Sequence, residues 1–257
     1  FMAETASILS PEKTVLIPDL GAGCSLADSI TPEQLRAWQA KFEDPVTVMY
    51  VNTTAEIKAL TDYCVTSANA VEVVRHVQRE HPGRPILFGP DMWLGAYVEK
   101  ELGAKLHVWD GECHVHAGIR PHDIDRMRAA HPGADFLIHP ECGCSTQVME
   151  YVASGDVDTE GVHMLSTGGM LDYAKQHAGT GATAIMATET GMLHPLRMAA
   201  PDVDFVAANE AASCRYMKMI TLPKLRDCLR DMTGEVKVPA DLAERARLPI
   251  ERMVAIG

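Results

Sequence analysis

The sequence has no excess of basic residues, no long apolar segment and no recognisable secretory leader. Lys and Arg number 23 against 35 Asp and Glu, giving a formal net charge of −12. Nucleic acids and anionic membranes attract basic patches, so neither is expected as a partner. No apolar run reaches the roughly 18 residues that a membrane-spanning helix needs. The content of 47% hydrophobic and 23% charged residues is ordinary for a globular protein, and the net charge does not forbid an anionic substrate.

The cysteines do not have the pattern of a secreted disulfide framework, because the chain contains seven of them, an odd number. We therefore expect a reducing, cytoplasmic location. The chain opens on Phe1 and is at once in a helical pattern with no start signal before it. This opening suggests that an N-terminal portion is missing from the sequence.

Short apolar runs alternate with helical patterns, which predicts an α/β protein with parallel sheets. We expect strands over 14–20, 46–51, 85–89, 106–110, 134–139, 162–165, 183–187 and 203–207. Helices are expected over 31–42, 54–60, 70–80, 91–101, 122–130, 146–153, 170–177, 192–199 and from 221 to the end, with interruptions at Pro239 and Pro249. The segments 46–113 and 134–214 have matching order, which indicates an internal domain repeat.

Cys24, Cys113 and Cys214 each follow a predicted strand in a loop of small residues. They are separated by two similar gaps, each about the length of a small domain. Ligand sites of parallel α/β proteins lie beyond the carboxyl ends of the strands. Three thiolates from three such segments predict a soft metal centre, and three ligands would leave one iron of a cluster open as a Lewis acid.

Other residues offer competing metal sites. Cys142 and Cys144 are one residue apart, and His114 and His116 adjoin Cys113. Either set could contribute to a zinc site, and the Cys142–Cys144 pair could also be redox-active. Cys64 and Cys228 lie in helical patterns and are interpreted as packing residues.

Polar residues at predicted strand ends form the remaining candidates. His139 and Glu141 offer a base and a carboxylate suited to proton transfer. Ser166 and Thr167 precede a helix, where they could bind an anion or simply cap the helix. Thr66-Ser-Ala-Asn69 is open to the same two interpretations, and Tyr50 and Asn52 face one side of their strand end.

Taken together, the motifs resemble those of the quinolinate synthase family over 1–219. They are Ala22-Gly-Cys24-Ser-Leu-Ala-Asp28, Met49-Tyr-Val-Asn-Thr53, Thr66-Ser-Ala-Asn-Ala70, Val108-Trp-Asp-Gly-Glu-Cys-His-Val-His116, His139-Pro-Glu-Cys142, Ser166-Thr-Gly168, Ala187-Thr-Glu-Thr-Gly191 and Ala208-Asn-Glu210. The resemblance implies condensation of iminoaspartate with dihydroxyacetone phosphate to quinolinate, with loss of phosphate and water. Functional coupling to L-aspartate oxidase is an associated expectation.

The resemblance also implies three similar α/β/α domains with short parallel sheets around a pseudo-threefold axis, the first of them incomplete here. We expect the segments 1–28, 29–117 and 118–215 to belong to these domains, and a helical segment, 216–257, to pack back on the first. A [4Fe-4S] cluster would be held by Cys24, Cys113 and Cys214.

By the same resemblance, Tyr50 and Asn52 orient the substrate, and Ser67 and Asn69 hold phosphate or carboxylate. His139 and Glu141 serve substrate binding and acid–base steps, with Tyr50 as a further catalytic candidate. Ser166 and Thr167 bind a carboxylate or phosphate.

Two alternatives to this function remain. One is a non-catalytic zinc- or redox-binding module built on Cys142, Cys144 and the nearby histidines. The other is a different iron–sulfur dehydratase. The family also supplies a further histidine and tyrosine to its site, and these have no counterpart in this sequence.

Overall fold

Strands and helices alternate along the chain in the computed structural model, which describes residues 1–145, 148 and 161–256. The chain divides into two compact units, Phe1–Gly111 with Cys214–Gly257, and Glu112–Ser213. Each unit contains a four-stranded parallel sheet. The α/β class with short parallel sheets is therefore confirmed, and the division into four segments about a pseudo-threefold axis stays a prediction.

The first sheet has the order β2-β1-β3-β4 and the second the order β6-β5-β7-β8. The strands are β1 Val46–Tyr50, β2 Tyr63–Val65, β3 Ile86–Gly89, β4 His107–Val108, β5 Asp135–Ile138, β6 Val162–Met164, β7 Thr183–Ala187 and β8 Asp204–Ala207. Both sheets place their first strand second in the order. The predicted internal repeat is thereby confirmed at the level of topology.

Helices connect these strands, and short 3₁₀ turns follow three of the loops. The helices are α1 Met2–Leu9, α2 Pro32–Gln39, α3 Ala55–Lys58, α4 Ala70–Glu80, α5 Met92–Leu102, α6 His114–Ala117, α7 Pro121–Ala130, α8 Thr167–His177, α9 Leu193–Ala199, α10 Leu222–Asp231 and α11 Ala240–Ile256. The 3₁₀ turns are Ala27–Ser29, Thr190–Met192 and Met217–Met219. No helix in the described part of the chain is long and apolar enough to cross a membrane.

Local sequence signals account for several helix ends. Thr31 accepts from the Gln34 amide at 3.2 Å, and the Gln34 side chain accepts from the Thr31 amide at 2.8 Å, closing the expected capping box. Gly103 ends α5 with φ of 58°, a left-handed conformation that favours glycine.

The core of each unit lies between its sheet and its helices. In the second unit, buried residues of β5, β7 and β8 pack on α8 and α9: Leu137, Met170, Tyr173, Ala174, Ala184, Met186, Leu196, Ala200, Val203 and Phe205. In the first unit, α11 packs on α1, α3 and β2 through Ile250, Ala246 and their neighbours.

Some predicted elements were wrong. The segment 14–20 forms no strand, since its Leu16 makes only an isolated antiparallel bridge with Glu235. Strand β2 was missed because only three of its residues are extended. Helix α11 continues through Pro249, because burial of Ala246, Ile250 and Met253 offsets the roughly 3 kcal/mol cost of an interior proline.

The helix predicted over 146–153 lies outside the described residues, Val148 apart.

Candidate active site

Two strand ends of the second sheet deliver polar side chains to one edge. His139 follows β5 and Thr188 follows β7, and these neighbouring strands pair Ile138 with Ala187. The His139 amide donates to the Ala187 carbonyl at 3.2 Å, which extends the ladder by one residue. Because the strands are parallel, their carboxyl ends share an edge, the place where α/β proteins bind ligands.

A buried cluster of two imidazoles and one carboxyl group lies at this edge. The rings of His116 and His139 stack with centroids 4.5 Å apart and planes 3° from parallel. One Glu141 oxygen lies 3.4 Å from Nδ1 of His116, and the other lies 4.0 Å from Nδ1 of His139. His139 and Glu141 are buried, and Nε2 of His116 is 2.8 Å from the Thr188 hydroxyl.

The surroundings of the two imidazoles shift their pKa values in opposite directions. Burial opposes protonation of His116, but its interactions with Cys113 and Glu141 outweigh burial and raise the pKa of His116. Burial, together with the positive charge of His116, lowers the pKa of His139. The stacked pair thus combines a ring whose surroundings favour its proton with one whose surroundings disfavour it, a separation that suits acid and base roles.

The same cluster could hold a metal ion. One ligand atom from each of His116, His139 and Glu141 lies within 4.8 Å of the others. Two imidazoles and a carboxylate are a ligand set found in catalytic zinc sites.

Cys113 adjoins the cluster through His116. Cys113 precedes α6, and its carbonyl accepts from the Ala117 amide at 2.8 Å. Burial disfavours the thiolate, but the hydrogen bond and charge of His116 outweigh it and lower the pKa of Cys113. A thiol so placed is suited to bind metal or to share a proton with His116.

The loops of Cys24 and Cys214 have matching side-chain and backbone hydrogen bonds. Asp19 Oδ1 accepts from the Gly21 amide and Asn209 Oδ1 from the Ala211 amide, both at 2.8 Å. The Cys24 and Cys214 carbonyls each accept from the amide four residues on, at 3.0 and 3.1 Å. Like Cys113, both begin a helical turn and are partly exposed, whereas Cys64 and Cys228 are buried.

Cys142 and Cys144 are joined by a disulfide, one of the states left open for this pair. Both are fully buried, and Gly143 between them donates its amide to the His116 carbonyl at 3.1 Å. A Cβ at Gly143 would lie 3.3 Å from the Ala117 carbonyl oxygen, so the loop packs tightly on α6. The disulfide removes both thiolates as metal ligands in this structure.

The edge of the first sheet carries four further candidates. Tyr50 ends β1 and pairs with Val65 at the end of β2, so Asn52 and Ser67 each lie two residues beyond paired strand ends. Asn69 accepts through Oδ1 from the Thr66 amide at 2.8 Å and the Thr66 hydroxyl at 3.0 Å. The structure thus gives Asn69 a part in shaping its own loop.

Ser166 and Thr167 start α8 beyond the end of β6. The Ser166 hydroxyl accepts from the Gly169 amide at 3.2 Å, which is the helix-capping alternative for that residue. Thr167 is exposed at the first position of the helix. Their anion-binding role stays a prediction.

The second unit therefore brings His139 and Glu141 together and places Ser166 and Thr167 at the same sheet edge. It also adds two residues to which the sequence assigns no acid–base role. The sequence offers His116 only as a possible zinc ligand, and it assigns no role to Thr188. The only sequence signals for a role in the site are that His116 lies just beyond Cys113 and that Thr188 follows the end of β7.

A parallel sheet edge with a buried imidazole–carboxyl cluster and an adjacent thiol is an arrangement typical of an α/β enzyme. The family model described as "NadA: Quinolinate synthetase A protein" matches residues 1–255. The chain belongs to this quinolinate synthase family.

Curated relatives agree with the family match. A protein named quinolinate synthase from Mycobacterium tuberculosis (strain H37Rv) is 54% identical over the whole chain, which covers 72% of that relative. Its namesakes from Mycobacterium sp. (strain KMS) and Mycolicibacterium paratuberculosis (strain K-10) are 52% and 53% identical over the whole chain, which covers 75% and 72% of them.

Proposed function

We propose that this enzyme condenses iminoaspartate with dihydroxyacetone phosphate to give quinolinate. One carbon–carbon and one carbon–nitrogen bond close the ring, while one phosphate and two waters leave. The reaction balances without an external oxidant or reductant. Iminoaspartate is the product of aspartate oxidation, so functional coupling to L-aspartate oxidase is part of the proposal.

The observation that carries the proposal is the cluster of Cys113, His116 and Glu141, in which one Glu141 oxygen lies 3.4 Å from Nδ1 of His116. His116 contacts both the thiol and the carboxyl group, and Thr188 holds its other ring nitrogen at 2.8 Å. An acid–base group thereby lies beside a proposed metal ligand. Ring closure with loss of water requires proton transfer, and a neighbouring Lewis acid would assist the loss of hydroxyl groups.

We propose Cys24, Cys113 and Cys214 as the ligands of a [4Fe-4S] cluster. Each is a partly exposed cysteine outside the disulfide, and each begins a helical turn in which its carbonyl accepts the amide four residues on. Thiolate sulfur is the ligand that iron–sulfur clusters require. When bound, such a cluster with three protein ligands supplies a Lewis acid.

Glu141 and His139 are the proposed catalytic groups, with Glu141 moving the proton and His116 holding its carboxyl group in place. The pKa of His139 is lowered by burial, so this ring is neutral and can accept a proton or a hydrogen bond from substrate. Burial of His139 and Glu141 keeps bulk water from competing for these protons.

Substrate binding is proposed for residues at both sheet edges. Tyr50 and Asn52 orient the substrate, with Tyr50 also a catalytic candidate, and Ser67 and Asn69 hold a phosphate or carboxylate. Ser166 and Thr167 take the same role at the start of α8, where backbone amides favour anions.

Zinc at His116, His139 and Glu141 is the second candidate, favoured by the 4.8 Å spread of their ligand atoms. A zinc ion there would compete with the proton of His116. The acid–base interpretation retains this proton, and we therefore prefer it.

The test is quinolinate formation by the anaerobically prepared holoenzyme, supplied with iminoaspartate and dihydroxyacetone phosphate. We expect quinolinate and phosphate in equal amounts. Turnover of simple hydroxy acids without quinolinate would support a different iron–sulfur dehydratase. Bound zinc with no product would support the second candidate.

A further inference from the structure

Lys58 is among the largest fully buried side chains of the described residues, at 0% exposure, and it carries a charge. It ends the short helix α3, and its ammonium donates to the carbonyl of Thr53. Burial of a cationic group is unfavourable unless the contacts it makes repay the loss of water. The position therefore calls for a role that an apolar side chain could not fill.

Thr53 links Lys58 to the strand end that carries the proposed substrate-binding residues. The Thr53 hydroxyl donates to the Tyr50 carbonyl at 3.0 Å, and its amide donates to the Val51 carbonyl at 2.9 Å. Thr53 is itself fully buried. Lys58 thus holds the Thr53 end of a tight loop that runs from Tyr50 to Thr53 and contains Asn52.

The groups around Lys58 compensate only part of the unfavourable burial of its positive charge. Burial lowers the pKa of Lys58 to about 8, against the opposing effects of Cys64 and Glu4. Burial raises the pKa of the Cys64 thiol to about 12, so this group is neutral near pH 7. Glu4 also accepts from the Ala55 amide at 3.1 Å, so it holds the start of α3 as well.

We infer that Lys58 is a positioning residue for substrate binding, which acts by holding the Thr53 carbonyl and through it the loop of Tyr50 and Asn52. It does not touch substrate, because its side chain is sealed from solvent and directed to backbone. The inference rests on the proposed function only in taking Tyr50 and Asn52 as substrate-binding residues.

The test replaces Lys58 with Met, which has a similar length but neither charge nor donor. We expect KM for at least one substrate to rise about tenfold, with kcat within about threefold of the parent holoenzyme. The exposed Lys41→Met is the matched control and should change neither constant. A fall in kcat without a change in KM would indicate a merely structural role and overturn the inference.

A double-mutant cycle tests the route of the effect. In an Asn52→Ala background, Lys58→Met should change KM by less than about threefold, because the loop has already lost its contact with substrate. A full tenfold effect in that background would show that Lys58 acts elsewhere. If Lys58→Met does not fold, Thr53→Val tests the next link, because it keeps the carbonyl that Lys58 holds and removes the hydroxyl that holds the Tyr50 carbonyl. KM should rise in this variant, and an unchanged KM would overturn the route through Thr53 on which the inference depends.

Hydrogen exchange separates failure of this inference from failure of the proposed function. Amides of residues 51–54 should exchange faster in Lys58→Met than in the parent protein, whatever reaction is catalysed. Absence of quinolinate from the parent protein would reject the proposed function. Unchanged exchange in these amides would reject the role of Lys58.

Discussion

Cys24 and Cys214 have the same local backbone hydrogen bonding. The carbonyl of each accepts from the amide four residues on, at 3.0 and 3.1 Å. In each loop, a side-chain oxygen five residues before the cysteine accepts from the amide two residues after it, Asp19 from Gly21 and Asn209 from Ala211. Packing alone does not require two distant cysteines to share such a loop. Shared backbone geometry is expected if both thiols perform one task, and we propose that this task is ligation of one cluster.

Glu141→Gln is expected to lower kcat by about 100-fold or more, because the amide keeps the shape of the carboxyl group but cannot carry the proton. Iron content should be unchanged. Steady-state kinetics on the holoenzyme measures the effect. Asp172→Asn, on the exposed surface of α8, is the control for loss of a carboxylate, and equal activities of the two variants would contradict the role of Glu141.

Thr188→Val is expected to lower kcat about 10-fold, since it removes the hydroxyl 2.8 Å from Nε2 of His116 while keeping the side-chain shape. The His116 ring would then keep only its contacts with Cys113 and Glu141. Thr180→Val, at an exposed turn after α8, serves as the control. Full activity of Thr188→Val would show that His116 needs no such anchor.

The disulfide predicts the number of reactive thiols. The chain contains seven cysteines, of which five lie outside the Cys142–Cys144 bond. Unfolded, metal-free chain prepared without reductant should therefore react with five equivalents of a thiol reagent, and with seven after reduction. In Cys144→Ser the number should be six under either condition; seven thiols in the unreduced parent chain would contradict the disulfide.

The lowered pKa of Lys58 predicts that the free energy of unfolding rises with pH. Its pKa is about 8 in the folded chain because of burial, against an ordinary value of 10.5. Between these values the unfolded chain binds the proton and the folded chain does not, so the free energy of unfolding gains about 3 kcal/mol as pH rises.

Denaturant unfolding at a series of pH values measures this gain as the difference between the parent protein and Lys58→Met. The difference should change by about that amount between pH 8 and pH 10.5. Parallel stability curves would mean that Lys58 keeps its ordinary pKa in the folded chain.

Much of the fold could be predicted because buried parallel strands leave a strong local signal. The β-branched run at β1 and the capping box at Thr31 depend on neighbouring residues alone. The segment 14–20 has an equally apolar sequence, but its partners are not set by local pattern, and only Leu16 forms a bridge. At Pro249 the local sequence predicts an interruption of the helix, but the burial of neighbouring residues against distant parts of the chain keeps the helix continuous.

The candidate site was predicted where it follows strand ends and was incomplete where it depends on contacts between loops. His139 and Glu141 follow β5 directly, so their position could be read from the sequence. The stacking of His116 on His139 joins α6 to that strand end across an intervening helix, and the contact with Thr188 joins a third segment. No periodicity reports such contacts.

The most direct test of the central claim is the iron and acid-labile sulfide content of anaerobically prepared protein, with matched cysteine variants. We predict about four of each per chain, lost in Cys24→Ala, Cys113→Ala and Cys214→Ala and retained in Cys64→Ala and Cys228→Ala. Zinc without sulfide, or a cluster that survives all three of the first substitutions, would contradict the assignment.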